Sequence, residues 1–171
     1  SPVLKQALQL VVSDEYNSLI DVYDLWGLQE NDNSVLCPDK STIITGTWDE
    51  ILSDASVFLD RSGLTMSELQ SIITFPNFLN YNIQISATSE AYQLGEISGF
   101  KIENINENFA REISCLVRLR RLTLWNLYDI ALVLKEKLED IDRICCLREI
   151  TKASVSEIYS WVYEMPDEHF N

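Results

Sequence analysis

The chain has 171 residues, 46% of them hydrophobic and 23% charged, which is enough apolar material for a real core and argues against disorder. Its formal charge of −14 falls unevenly, −11 on residues 1–100 and −3 on residues 101–171. Such a balance argues against nucleic acid, whose phosphates need a basic footprint, and against an anionic membrane surface. No run of eighteen apolar residues is present, so no membrane-spanning helix is expected, and Ser1-Pro2-Val3-Leu4-Lys5 does not read as a signal peptide.

In chain order, the first expected element is a helical hairpin. It has apolar residues between Leu4 and Leu10, then Ser13 as a cap. Asp14 and Glu15 favour the positive helix start, Tyr16, Leu19, Ile20 and Tyr23 follow, and Gly27 closes. Residues 28–46 hold the turn formers Asn31-Asp32-Asn33-Ser34 and Cys37-Pro38-Asp39 and read as an irregular loop.

A helix–short turn–helix unit is expected from Thr47 to Phe75. Thr47-Trp48-Asp49-Glu50 has the form of a capping box, in which the cap hydroxyl and the glutamate each satisfy a backbone N–H. Ile51, Leu52, Ala55, Phe58 and Leu59 recur at helical spacing, and Gly63 stops the helix. Thr65-Met66-Ser67-Glu68 opens the second helix, with Leu69, Ile72 and Ile73, and Pro76 ends it. Residues 76–104 alternate weakly, through Ile83 and Ile85 and then Leu94 and Ile97, and predict a short β-hairpin or an ordered loop.

Two more helix pairs follow. One runs from about Glu107 to Leu138, with Ile113, Leu116, Val117, Leu119 and Leu122 in its first helix. Asn126-Leu127-Tyr128-Asp129 caps Ile130, Leu132, Val133 and Leu134 in its second. The other runs from about Glu139 to Glu164, with Ile141, Ile144, Cys145 and Leu147, then the cap Ser154-Val155-Ser156-Glu157 before Ile158, Trp161 and Val162. The three second helices align an acidic residue, the next apolar residue and one three further on: Glu68, Leu69, Ile72; Asp129, Ile130, Val133; Glu157, Ile158, Trp161. The expected core is Phe58, Leu59, Leu69, Ile72, Leu116, Leu119, Trp125, Ile130, Ile144, Ile158 and Trp161.

Reactive groupings are scarce. His169 is the single histidine and sits two residues from the end. Cys37, Cys115, Cys145 and Cys146 form no C-x-x-C pair and read as free thiols acting as small hydrophobes. Asn31-Asp32-Asn33-Ser34 lacks the central glycine and the terminal glutamate of a calcium loop, and no phosphate loop, zinc-protease helix or nucleophile elbow is present. Glu136, Glu139, Asp140 and Asp142 lie among Lys135, Lys137 and Arg143, as on a solvated helix face. No catalytic, cofactor or metal residue is expected, and the chain reads as a non-enzyme.

The residues that stand out are the arginines of 111–125. At 100° per residue, Ile113, Leu116, Val117 and Leu124 share a face and Arg120 falls in its middle, while Arg111, Arg118 and Arg121 lie on another. Arg120 either runs its stem along apolar surface to water or is paired; the expectation is an Asp or Glu partner within salt-bridge distance. All four arginines are interaction candidates.

Several stretches resemble a known family. Val57-Phe58-Leu59-Asp60-Arg61-Ser62-Gly63-Leu64-Thr65-Met66-Ser67-Glu68-Leu69 is similar to the FLxRSGLSxxEL stretch of the A components of bacterial Tc insecticidal toxin complexes. Leu116 to Arg121, followed by Trp125 to Ile130, resembles their FVRLWRKLGWSxYEL stretch; Leu8 to Tyr16 resembles LGLSxxEY, with Leu25-Trp26-Gly27-Leu28 after it. The last helix pair resembles the pair that comes next there, and the region is related to the Salmonella virulence plasmid A-protein family. Arg120 stands where the family has Trp, Leu124 where it has Gly, and residues 76–104 lack its Asp-Pro-Cys-Asp turn.

The resemblance implies an all-α fold of helical hairpins in a bundle-like array, with an irregular or β-hairpin insertion, forming one domain of residues 1–171 cut from a larger toxin subunit. It implies a secreted or cell-surface protein and a homopentamer whose helical shell encloses a translocation channel. The segment would contact other domains and subunits, with room for a host receptor and no membrane insertion of its own. Two other readings are a stand-alone helical adaptor or virulence effector binding a protein through an apolar groove, and a hydrolase using paired carboxylates.

Overall fold

The computed structural model describes residues 20–28, 34–36, 43–87, 99–134 and 138–164. Within these the chain is mostly helical, with two small antiparallel strand pairs. The expected caps at Ser13 and the features at Asn31, Cys37, Lys135–Lys137 and His169 lie outside the described residues.

Helix α1, Val22–Trp26, is capped by the Asp21 carboxylate, which accepts from the Tyr23 N–H, and it ends at Gly27 with φ +66°. The stretch expected as an irregular loop contains an antiparallel ribbon instead: β1, Ser34–Leu36, pairs with β2, Ile43–Thr45. Turn formers around and between them hid the two short runs that pair.

The helix expected from Thr47 to Gly63 is two helices. The first, α2, spans Trp48–Leu52; its Thr47 makes no capping bond to the backbone, because its hydroxyl donates to the Asp49 carboxylate at 2.5 Å. The second, α3, spans Ala55–Ser62, with the Asp54 carboxylate accepting from Ser56 and Val57 N–H. The break frees the Ser53 carbonyl, which accepts the Ile102 N–H at 2.8 Å, and Asp54 bridges Lys101. A backbone group released at a helix end must find a partner, and a strand almost fifty residues away supplies it.

Gly63, at φ +73°, ends α3 and donates to the Leu59 carbonyl at 2.9 Å. Helix α4, Met66–Ile72, then begins with both arms of the capping box in place: Thr65 Oγ1 accepts from Glu68 N–H, and the Glu68 carboxylate accepts from Thr65 N–H. It stops at Ile72, short of Pro76, and unwinds through turns at Phe75 and Phe78. That unwinding carries Phe78 into the core, fully buried. A 3-10 turn at Leu79–Tyr81 leads into β3, Gln84–Ala87, which pairs antiparallel with β4, Phe100–Glu103. Of the two forms expected for residues 76–104, an antiparallel strand pair is present, formed where Ile85 lies, at Gln84–Ala87, with Phe100–Glu103; Leu94 and Ile97 lie outside the described residues.

The longest helix, α5 (Glu107–Thr123), is capped by Asn106 and buries Phe109, Ile113, Leu116 and Leu119. It packs on α1, α3 and the following α6, Leu127–Val133, which Asn126 caps as expected. Helix α7 spans Leu138–Thr151 and α8 spans Val155–Tyr159, the latter capped by Ser154. The repeated arrangement is real at each second helix: Thr65, Asn126 and Ser154 all accept from the N–H three residues on. Leu69 and Ile72, Ile130 and Val133, and Ile158 are all buried.

Trp161 departs from the expected core, with 38% of its surface exposed. After Tyr159 the chain widens into a π turn at Ser160–Glu164. A wider turn advances each residue through a smaller angle than an α-helix does, so Trp161 leaves the face of Ile158. Tyr159 is buried instead and packs its ring 4.5 Å from that of Tyr163. The other ten expected core residues are all buried, and they belong to one apolar cluster.

Leu124 ends α5 in the left-handed region, at φ 58°, with 85% of its surface exposed. A side chain there costs about 1 kcal/mol relative to glycine and is repaid by nothing it buries. Leu124→Gly is expected to leave stability unchanged or raise it by up to about 1 kcal/mol, the relief of strain being partly offset by a freer unfolded chain. A thermal melt more than a few degrees below wild type would contradict the strain.

Candidate interaction site

Helix α5 distributes its arginines as helical spacing requires. Arg111 pairs with Glu107 one turn back, at 2.9 Å, and donates to the Ile20 carbonyl at 2.8 Å, so it ties α5 to the segment entering α1. Arg120 is half-buried and pairs with Glu68. The carboxylate partner expected for it is therefore found, at the start of α4. Glu68 thus serves two elements, closing the α4 cap and receiving the Arg120 guanidinium. Burial alone would raise its pKa, but the Thr65 N–H and Arg120 outweigh it and hold the carboxyl below the usual range. Both partners are partly exposed, so the pair contributes no more than about 1 kcal/mol. A groove beside it is lined by Ser67, Phe75, Trp125 and Leu127.

The other second helices use the matching acidic position differently. Asp129 is buried and accepts from the Ser156 hydroxyl, which fastens α6 to α8. Asn77 donates its side-chain amide to the Ala131 carbonyl and fastens the post-α4 turn to α6.

Arg118 and Arg121 face away from Arg120, as the projection predicts. They meet Arg61, from the end of α3, in a narrow cleft beside Trp26 (a volume of about 40 Å³). Arg61 Nη1 donates to the Gly27 carbonyl at 3.1 Å, and a Cβ built on Gly27 would stand 3.2 Å from that nitrogen. Glycine is needed there both for its left-handed backbone and for this close approach. Arg61 was not among the sequence candidates, because the end of α3 reaches α5 only through packing between helices remote in sequence.

A second group was also passed over in the sequence. Glu112 lies on α5 three residues after Phe109 and four before Leu116, a spacing that turns it toward the core. Its carboxylate shares a hydrogen bond with the Tyr81 hydroxyl, and its Oε2 is buried with no partner. Burial raises the Glu112 pKa, and the Tyr81 bond only partly opposes this. Burial and the neighbouring carboxylate raise that of Tyr81 in turn. Cys115, one turn on, is pushed up to about 12 by burial, with Arg118 pulling the other way, so it remains a thiol near neutral pH.

The sign for Glu112 follows from its raised folded value. Its contribution to stability is full below the unfolded carboxylate pKa and is lost as pH rises through the folded one. Glu112→Gln removes that loss, so the variant should gain stability on wild type as pH rises through the carboxylate range. Urea denaturation across a pH series measures it; a variant-minus-wild-type difference that stays flat would rule the buried acid out as the cause.

Among the described residues, Cys115, Cys145 and Cys146 are not joined to one another by a disulfide. Cys115 is buried and Cys145 half-buried, as small hydrophobes should be, whereas Cys146 is exposed. Among the described residues, no group of three or more His, Cys, Asp or Glu side chains is arranged to hold a metal, and no helix is long and apolar enough to cross a membrane.

No family model, curated protein or solved structure matches this chain.

Proposed function

We propose that this chain is a structural and interaction segment of the α-helical shell of a Tc toxin A component. The observation that carries the reading is what the FLxRSGLSxxEL-like residues do. Phe58, Leu59, Leu64 and Leu69 are buried, Gly63 makes the left-handed turn, and Thr65 with Glu68 builds the next cap. These residues of the likeness are spent on joining two helices, which suits scaffolding. In this reading the helix pairs form a bundle-like array, the protein is not an enzyme, and it takes no cofactor.

The partners of such a segment are other domains and subunits of a homopentamer, and a host receptor where an insertion provides one. It reaches its place as part of a secreted or surface-bound toxin, without nucleic acid and without entering the membrane itself. Electron microscopy of the full-length parent gene product tests this. Bell-shaped particles with a central channel are the expected result; a complete gene product of about this size that forms no such particle would end the proposal.

A second reading, a stand-alone helical adaptor or virulence effector, draws on Leu124 and Ile150, which are 85% and 78% exposed, with Leu122 also exposed two residues before Leu124. Exposed apolar side chains of this size suit contact with another protein.

A further inference from the structure

We infer that the face around Leu124 is a contact surface for a second copy of this chain. Leu124 is 85% exposed and sits at φ 58°, a strained conformation that glycine adopts freely. Strain of this kind gathers at positions with a task, and a leucine so exposed performs none inside its own fold. It stands between two open grooves that share Trp125. One, of about 420 Å³, runs from Leu122 and Thr123 to Arg148, whose guanidinium lies 5.5 Å from the Trp125 ring. The other, of about 490 Å³, has Leu124 itself at its wall, with Leu127 and Phe75. Tyr128, half exposed, meets Phe75 edge-on and widens the apolar rim.

Two properties select a second copy as the occupant. A two-fold contact joins the same patch on both chains, so the patch must complement itself. A projecting leucine beside a groove does so, since each chain offers the knob that the other's groove receives. Charge supplies the second property. Two chains of −14 repel along most approaches, but residues 101–171 carry only −3, and they provide Leu122, Leu124, Trp125 and Leu127. Each groove also holds both signs, Glu149 with Arg148 in one and Glu68 with Arg120 in the other, so a second copy brings opposite charges as well as like ones. A strongly basic partner would be drawn instead to residues 1–100, at −11. The contact depends on neither reading of function given above.

Sedimentation velocity of the whole chain, at concentrations up to about 1 mM, tests this. A monomer–dimer equilibrium is expected. High salt should strengthen it, because screening relieves the repulsion between net charges while the apolar contact persists. Leu124→Gly should weaken dimerisation by about tenfold or more while folding as stably as wild type. Leu79→Ala, at an exposed leucine beyond α4, should dimerise as wild type does. Hydrogen exchange in concentrated wild type should slow at residues 122–128 and 145–152 relative to dilute wild type. A chain that stays monomeric, a dimer indifferent to Leu124→Gly, slowing confined to other residues, or dissociation by salt would each overturn the proposal. So would slow maleimide labelling of Leu124→Cys in the dilute monomer, since a segment of the same chain would then cover the face.

Discussion

Phe58→Ala is expected to lower the unfolding free energy by about 3–5 kcal/mol. Phe58 is completely buried, with its ring centroid 4.9 Å from that of Trp26 and 6.1 Å from that of Phe109. It therefore joins α1, α3 and α5 at one point, and Phe109 extends the contact to Phe78 and Tyr81. Truncation loses the transfer free energy of the ring and leaves a hole among aromatic neighbours that cannot all move inward together. Trp26 is further restrained by its indole N–H, which donates to the Ala110 carbonyl at 3.1 Å. Urea denaturation of the variant gives the number, and a loss below about 1 kcal/mol would show that this junction collapses or was never tight.

Ile102→Ala should cost about 2–4 kcal/mol, although it lies in a strand that the sequence marks only as a weakly alternating insertion. Ile102 is almost wholly buried, and its N–H bonds to the Ser53 carbonyl at the α2–α3 break. Removing the side chain opens a cavity against α3 and loosens the strand that satisfies that carbonyl. The same measurement on Lys101→Ala, an exposed neighbour in the strand, should show a change within about 0.5 kcal/mol. If both substitutions proved equally mild, the strand pair would be an appendage with no part in the core.

What could be read in advance was local. Helix starts at Thr65, Asn126 and Ser154 and the stops at Gly27 and Gly63 depend on residues within four positions of each other. Arg120 announced its partner because a charge at the centre of an apolar face needs one, but nothing in the sequence pointed to Glu68 in particular. The features that escaped depend on distant backbone or on a change of helical phase. The break at Ser53 is held open by β4, and the β1–β2 ribbon forms across residues that favour turns. Arg61 joins Arg118 and Arg121 only after two helices cross. Glu112 could have been found, since it falls on the same face as Phe109 and Leu116; its carboxylate simply reads as ordinary when counted among 27 acids.

The interrupted segment at Ser53 and Asp54 also bears on how such a chain could be cut or shuffled. Helix pairs with matching caps look like interchangeable bricks, each able to stand in for the next. This one is not: its first brick is notched, and the peg that fills the notch is carried by residues 100–103, beyond the whole of α4 and the β3 strand. Closing that long loop must precede the reward of the contact, which slows assembly and makes the pair dependent on what is synthesised after it. A swap or duplication that moved Thr47–Phe75 alone would carry the notch without its peg.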